Sequence, residues 1–160
     1  MTKAFRLFAP WIGPRDATGA LRRGGRWNSP GKAVLYAASS LSLACLEILV
    51  HLRHVENLPE YSYAEVHIPD DQVEAWNKPD KRTRAVLESA VLSREIGDNW
   101  IRDRGFAPLM ATSRLPVLQV PSAVIPQEWN FIIDPESADL QWHDPKPFRV
   151  DPRLVDPALR

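Results

Sequence analysis

Ala33-Val34-Leu35-Tyr36-Ala37-Ala38-Ser39-Ser40-Leu41-Ser42-Leu43-Ala44-Cys45-Leu46-Glu47-Ile48-Leu49-Val50 is the stretch that decides the fold class. Residues Ala33–Ala37 form a short, nearly continuous apolar run between Pro30-Gly31 and Ser39-Ser40, which suits a buried strand. Either serine can cap a following helix, expected from about Leu41 to His54. Upstream, Phe5–Ala9 reads as a first strand, and residues 12–30 read as a loop because they hold Gly13, Gly19, Gly24 and Gly25. Downstream, Tyr61–Ile68 alternates and stops at Pro69, as a half-buried strand does. Asp70–Lys78 suits a helical turn, Arg84–Arg104 one or two helices, and Val117–Val120 and Trp129–Ile133 two more strands. The proline-rich tail from Asp144 is expected to be extended, anchored by Phe148, Val150 and Leu154. Strands mixed with few helices, without regular βα alternation, predict an α+β fold.

The 160 residues suit one domain spanning 1–160. Hydrophobic and charged fractions of 44% and 25% are those of a globular chain. Twenty basic residues balance twenty acidic ones, which argues against a dedicated nucleic-acid binder. Residues 1–35 nevertheless carry seven bases (Lys3, Arg6, Arg15, Arg22, Arg23, Arg26, Lys32) against Asp16 alone, favouring an anionic partner at that end or a solvated basic edge. The single Cys45 excludes an intramolecular disulfide framework. No apolar run is long enough to span a bilayer, and Met1–Arg6 lacks the apolar core of a secretion signal, so a cytoplasmic protein is expected.

Phosphate-loop, dinucleotide-turn and nucleophile-elbow motifs are absent from the sequence. His51 and His54 sit three apart on the expected helix, but no third ligand stands at a familiar spacing, so no metal site is expected.

Three places break the surrounding pattern. In Gly24-Gly25-Arg26-Trp27-Asn28-Ser29-Pro30-Gly31 the glycines permit close approach of a ligand, and Arg26 offers a fork of donors suited to phosphate. The same stretch also suits a tight loop with Trp27 in the core. Glu47 stands alone in an apolar run; it either belongs to a narrow polar helix stripe with Ser40, His51 and His54 or faces a cleft. Ser122, between Pro121 and Pro126, either bonds its own backbone or presents a hydroxyl to a substrate.

Together these stretches resemble the RES domain, a bacterial toxin family named for an arginine, a glutamate and a serine. The resemblance also runs through Val34-Leu35-Tyr36-Ala37, Gly97-Asp98-Asn99-Trp100, Asn130-Phe131-Ile132-Ile133-Asp134-Pro135 and Asp151-Pro152-Arg153-Leu154, in the family's order. One departure is Asp134-Pro135-Glu136-Ser137, where the family often has a histidine after Asn-Pro, so no histidine role is assigned there.

The resemblance implies a fold similar to ADP-ribosyltransferase toxins, with a split β core and flanking short helices around an NAD cleft. It makes Arg26, Tyr36 and Glu47 the catalytic trio, with Arg6, Arg26, Tyr36 and Ser122 as substrate-binding residues. Glu47 is expected to stabilise the oxocarbenium-like state formed when nicotinamide leaves ribose. Arg26, supplemented by Arg6, suits the pyrophosphate, and Tyr36 offers a ring face to nicotinamide. Ser122 is expected to bond the ligand or the trio. NAD is the substrate, and no metal or other cofactor is implied.

The expected activity is NAD breakdown by hydrolysis or phosphorolysis, with protein ADP-ribosylation as the alternative. The expected partner is an Xre-like helix-turn-helix antitoxin, and a homodimer within that complex is among the assemblies allowed. A reading from another class is a non-catalytic module using the basic amino-terminal end to bind nucleic acid.

Overall fold

The computed structural model describes residues 1–52, 60–76, 80–105 and 115–154. In chain order its elements are β1 (Thr2–Phe8), α1 (Thr18–Arg23), β2 (Leu35–Ala38), α2 (Leu41–Leu49), β3 (Tyr61–Ile68), β4 (Val73–Ala75), α3 (Asp80–Glu88) and α4 (Ala90–Gly105). They continue with β5 (Val117–Pro121), β6 (Trp129–Ile133), β7 (Gln141–Trp142) and β8 (Lys146–Phe148), and short 3-10 turns occupy Asp70–Gln72 and Pro152–Leu154. This is the α+β architecture expected from the mixture of strands and short helices.

One mixed sheet runs in the order β4-β5-β6-β2-β1-β3-β7, with β8 also on β3. Among the described strands only β4 and β5 pair in parallel. β1 and β3 pair along their whole length, from Thr2↔Ile68 to Phe8↔Ser62, whereas β1 meets β2 only through the register Phe5↔Ala38. The sheet therefore parts between β2 and β1, and the residues on either side of this parting line the cavity described below.

Alternation fixes β3 as read from the sequence: Ala64, Val66 and Ile68 are buried while Glu65 and His67 face the other way. Val66 and Ile68 pack with Ala4, Leu35, Ala37, Val117, Phe131 and Ile133 in one core cluster. The opposite face of β5 and β6 presents Leu118, Val120 and Ile132, covered by Trp27, Val86 and Trp100. Trp27 is 1% exposed and lies 6.3 Å from Trp76 between ring centroids, so it plugs the core.

α2 begins at its expected place because the Ser40 hydroxyl accepts the Leu43 amide at 3.1 Å. It buries Leu43, Ala44 and Cys45. It ends at Leu49, short of the expected His54, because the next amides close tighter turns: His51 N to Ile48 O and Leu52 N to Leu49 O. His54 lies outside the described residues, so the His51–His54 pair does too.

Residues 12–30 are not all loop, since α1 forms within them. Asp16 Oδ1 accepts the Thr18 amide at 2.7 Å at its start. Gly24, with φ of 69°, ends it. The helical turn expected over Asp70–Lys78 forms only at Asp70–Gln72, as a 3-10 turn, and Val73–Ala75 extend as β4; residues 77–79 lie outside the described residues. β4 exists through its register with β5, Val73↔Val117 to Ala75↔Gln119, a pairing that no local pattern encodes. The described tail from Asp144 is extended as expected as far as Asp151, with Lys146–Phe148 joining β3 as β8. It then turns at Pro152–Leu154, and Leu154, expected as an anchor, is instead 52% exposed, while Val150 is buried.

Candidate active site

The segment between α1 and β2 is held by its own buried polar groups. Asn28, fully buried, donates from Nδ2 to the carbonyls of Ala20 (3.0 Å) and Lys32 (2.9 Å), and its Oδ1 accepts the Tyr36 hydroxyl at 2.7 Å. The Tyr36 oxygen in turn accepts the Trp27 amide at 3.1 Å. A Cβ on Gly25 would lie 2.6 Å from that oxygen, so only glycine lets the loop close over Tyr36. Burial pushes the Tyr36 phenol up to about 12, and it stays a donor at neutral pH.

α4 clamps the same loop from outside. A Cβ on Gly97 would fall 1.7 Å from the Trp27 carbonyl oxygen, so helix and loop touch backbone to side. Asp98 accepts the Ser29 amide (2.8 Å) and hydroxyl (2.5 Å) and pairs with Lys32 at 3.2 Å. Burial alone would raise the Asp98 carboxyl, but the Ser29 and Lys32 contacts outweigh it and hold it below its ordinary value. Arg94 donates from Nε and Nη2 to the Gly25 carbonyl, both at 3.3 Å. Arg26 itself is exposed, with Nη1 donating to the Leu87 carbonyl at 3.0 Å.

Glu47 projects from α2, half-buried. Its Oε1 accepts the Ser122 hydroxyl at 2.8 Å and Asn130 Nδ2 at 2.5 Å. Among the described residues no donor reaches Oε2. Ser122 is fully buried, and its oxygen also accepts the amides of Val124 and Ile125, each at 3.0 Å. The serine thus bonds the local backbone, one of the two outcomes its sequence setting left open, and bonds the carboxylate of the trio, as the resemblance allowed. The other outcome, a hydroxyl presented to a substrate, is not what this geometry displays.

These elements enclose a cavity of about 780 Å³, within the roughly 300–1,000 Å³ of small-molecule and cofactor sites. Its wall takes Phe5–Phe8 from β1, Tyr36–Ala38 from β2, Glu47, Ile48 and His51 from α2 and beyond, and Gly24–Trp27 from the loop. Arg6, Arg26, Tyr36 and Glu47 all line it; Ser122 does not, and Ala123 and Asn130 stand in its place. Arg23 and Arg94 add two further cations. Arg6 Nη2 donates to the Asp16 carbonyl at 2.6 Å, while its Nε is buried without a hydrogen-bond partner among the described residues. Burial lowers the Arg6 guanidinium to about 10, partly offset by Asp16, and it remains cationic at neutral pH. Arg15 turns away, donating to the carbonyls of Pro135 and Ser137.

The sequence reading did not single out Asn28, Arg94, Asp98 or Asn130 by role. Asn28, Asp98 and Asn130 stood within stretches that carried the family resemblance. Arg94 had no signal: one more arginine on an amphipathic helix looks like a solvated face.

An α+β fold with a parted sheet, a fixed carboxylate and an arginine-rich cavity defines the class of domain. The RES domain matches residues 2–153, and the chain belongs to that family. It is 31% identical to "Toxin Res" of Photorhabdus laumondii, over 97% of this chain and 94% of that protein. It is 33% identical to the "Prs ADP-ribosylating toxin" of a Sphingobium species, over 89% of this chain and 88% of the relative. The fold is shared with a chain of the M. tuberculosis MbcT–MbcA toxin–antitoxin complex at a TM-score of 0.70 and 16% identity, covering 96% of this chain and 86% of that one.

Proposed function

We propose that this chain is the toxin of a toxin–antitoxin pair and breaks the bond between nicotinamide and ribose in NAD. The observation that carries this reading is the cavity that gathers Glu47, Tyr36, Arg26 and Arg6 from α2, β2, the preceding loop and β1. With Oε1 engaged by Ser122 and Asn130, the Glu47 carboxylate has a fixed plane, and Oε2 is left for a ribose hydroxyl. A preset negative charge beside the ribose stabilises the positive charge that develops as nicotinamide departs. Arg6 and Arg26 suit the pyrophosphate as cations of the cavity wall. Tyr36 offers its ring to the nicotinamide, while its hydroxyl keeps the Arg26 loop in place.

Water or inorganic phosphate then captures the ribose carbon. Arg23, which lines the same cavity as Arg6, favours phosphate, since a second anion needs a second cation. Transfer to a protein is the second reading, favoured by the Sphingobium relative's name. The partner that restrains the enzyme is an antitoxin, a reading supported by the likeness to a toxin–antitoxin complex; the family resemblance implies the Xre-like kind.

The test incubates purified chain with NAD, with and without phosphate, and weighs the products. Free nicotinamide together with ADP-ribose, or with its phosphorylated form when phosphate is present, is the expected result. Label appearing only on a protein shifts the assignment to protein modification, and intact NAD rejects both readings. Expression without the antitoxin should arrest growth, and robust growth at good soluble yield contradicts the toxin assignment.

A further inference from the structure

Three side chains that take no part in the cavity converge on one edge of the sheet. Glu65 and His67 are two apart on β3 and therefore share a face. His143 follows β7, and its amide bonds the Glu65 carbonyl at 2.9 Å, which brings its ring to the same place. One ligating atom from each of the three lies within 4.8 Å of the others. The His67 and His143 ring centroids are 4.4 Å apart, and His67 Nε2 lies 2.5 Å from Glu65 Oε1. None of the three lines the cavity.

We propose that Glu65, His67 and His143 form a binding site for a divalent first-row transition ion, with Zn²⁺ the best match. Two imidazoles and one carboxylate are a donor set that such ions favour, whereas Mg²⁺ and Ca²⁺ take oxygen ligands. Donors on a tetrahedral ion with ~2.0–2.1 Å bonds lie about 3.3 Å apart, so small side-chain rotations close the present spacing. The ion replaces the His67–Glu65 contact and displaces Lys3, whose ammonium stands 3.1 Å from Glu65 Oε1 on a side chain 61% exposed. A fourth position is left for water. Because β7 contributes only two residues to the sheet, an ion bridging His143 to β3 clips the tail onto it.

The test titrates Zn²⁺ into the metal-free full chain by calorimetry and follows thermal unfolding alongside. The expected result is about one ion per chain, a raised midpoint with Zn²⁺ but not Mg²⁺, and tenfold or greater loss of affinity in His67→Gln and in His143→Gln. His51→Gln should leave binding unchanged. On the unaltered chain, histidine ring NMR signals of His67 and His143 should shift with Zn²⁺. Absence of binding, affinity undiminished in both variants, or ring shifts confined to other histidines would overturn the proposal in favour of a solvated polar patch.

Discussion

The Ser122 hydroxyl donates to Glu47 Oε1 across 2.8 Å while accepting the amides of Val124 and Ile125. Its one proton and both lone pairs are thereby engaged, so any effect of the serine on the proposed reaction is expected to pass through the carboxylate. Ser122→Ala should unpair two amides and release Glu47, costing about 1–3 kcal/mol of stability. In steady-state kinetics kcat should fall more than KM rises. A variant with an elevated KM, unchanged kcat and unchanged unfolding would instead make the hydroxyl a direct substrate contact.

Tyr36→Phe should be nearly as damaging as Tyr36→Ala, because the lost hydroxyl frees Asn28 Oδ1 and the Trp27 amide and loosens the Arg26 loop. The stability loss, about 1–3 kcal/mol at neutral pH, should shrink in alkali. The phenol ionises near 10 when unfolded and at about 12 when folded. Between those values the unfolded state has released a proton that the folded state retains, so wild-type stability drops as pH rises, and the phenylalanine variant lacks that slope. Denaturant melts of both proteins from pH 8 to 11.5 measure this; a gap that stays constant contradicts it.

Gly97→Ala adds a methyl where the Trp27 carbonyl already stands, and a backbone atom has nowhere to rotate. The expected loss is about 1–3 kcal/mol or more in chemical denaturation, with NAD turnover lowered because the Arg26 loop is displaced. Wild-type stability in this variant would show that α4 and the loop are not held against each other.

Arg26→Lys keeps the charge but not the planar fork, which now reaches the Leu87 carbonyl from the cavity rim. KM for NAD should rise by about tenfold with a smaller change in kcat. An unchanged KM removes Arg26 from the binding site.

What could be read in advance follows from the range of the interactions. β3 was readable because alternation is local and Pro69 ends it, and the start of α2 because Ser40 caps it. α1 was hidden: six residues among glycines, stabilised by Asp16 from outside, resemble a loop. β4 needed a partner 44 residues away, Val73 opposite Val117. In the site, Glu47 and Ser122 stood out as polar breaks in apolar runs. Asn130 did not, since a strand asparagine gains its meaning only when α2 brings Glu47 across from it. The Glu65–His67–His143 cluster was hidden for the same reason, its third member being 76 positions from the second.

Everything proposed for the site turns on the Glu47 carboxylate driving cleavage of NAD. The direct measurement is the initial rate of nicotinamide release by wild type and by Glu47→Gln at matched concentration, with thermal unfolding recorded for each. Glutamine keeps an Oε1 able to accept from Ser122 and Asn130 and removes only the charge. A rate lower by about 10²–10³ with an unchanged unfolding midpoint is the predicted result. A rate within about twofold of wild type, at the same midpoint, would contradict the account and reduce Glu47 to a polar residue on α2.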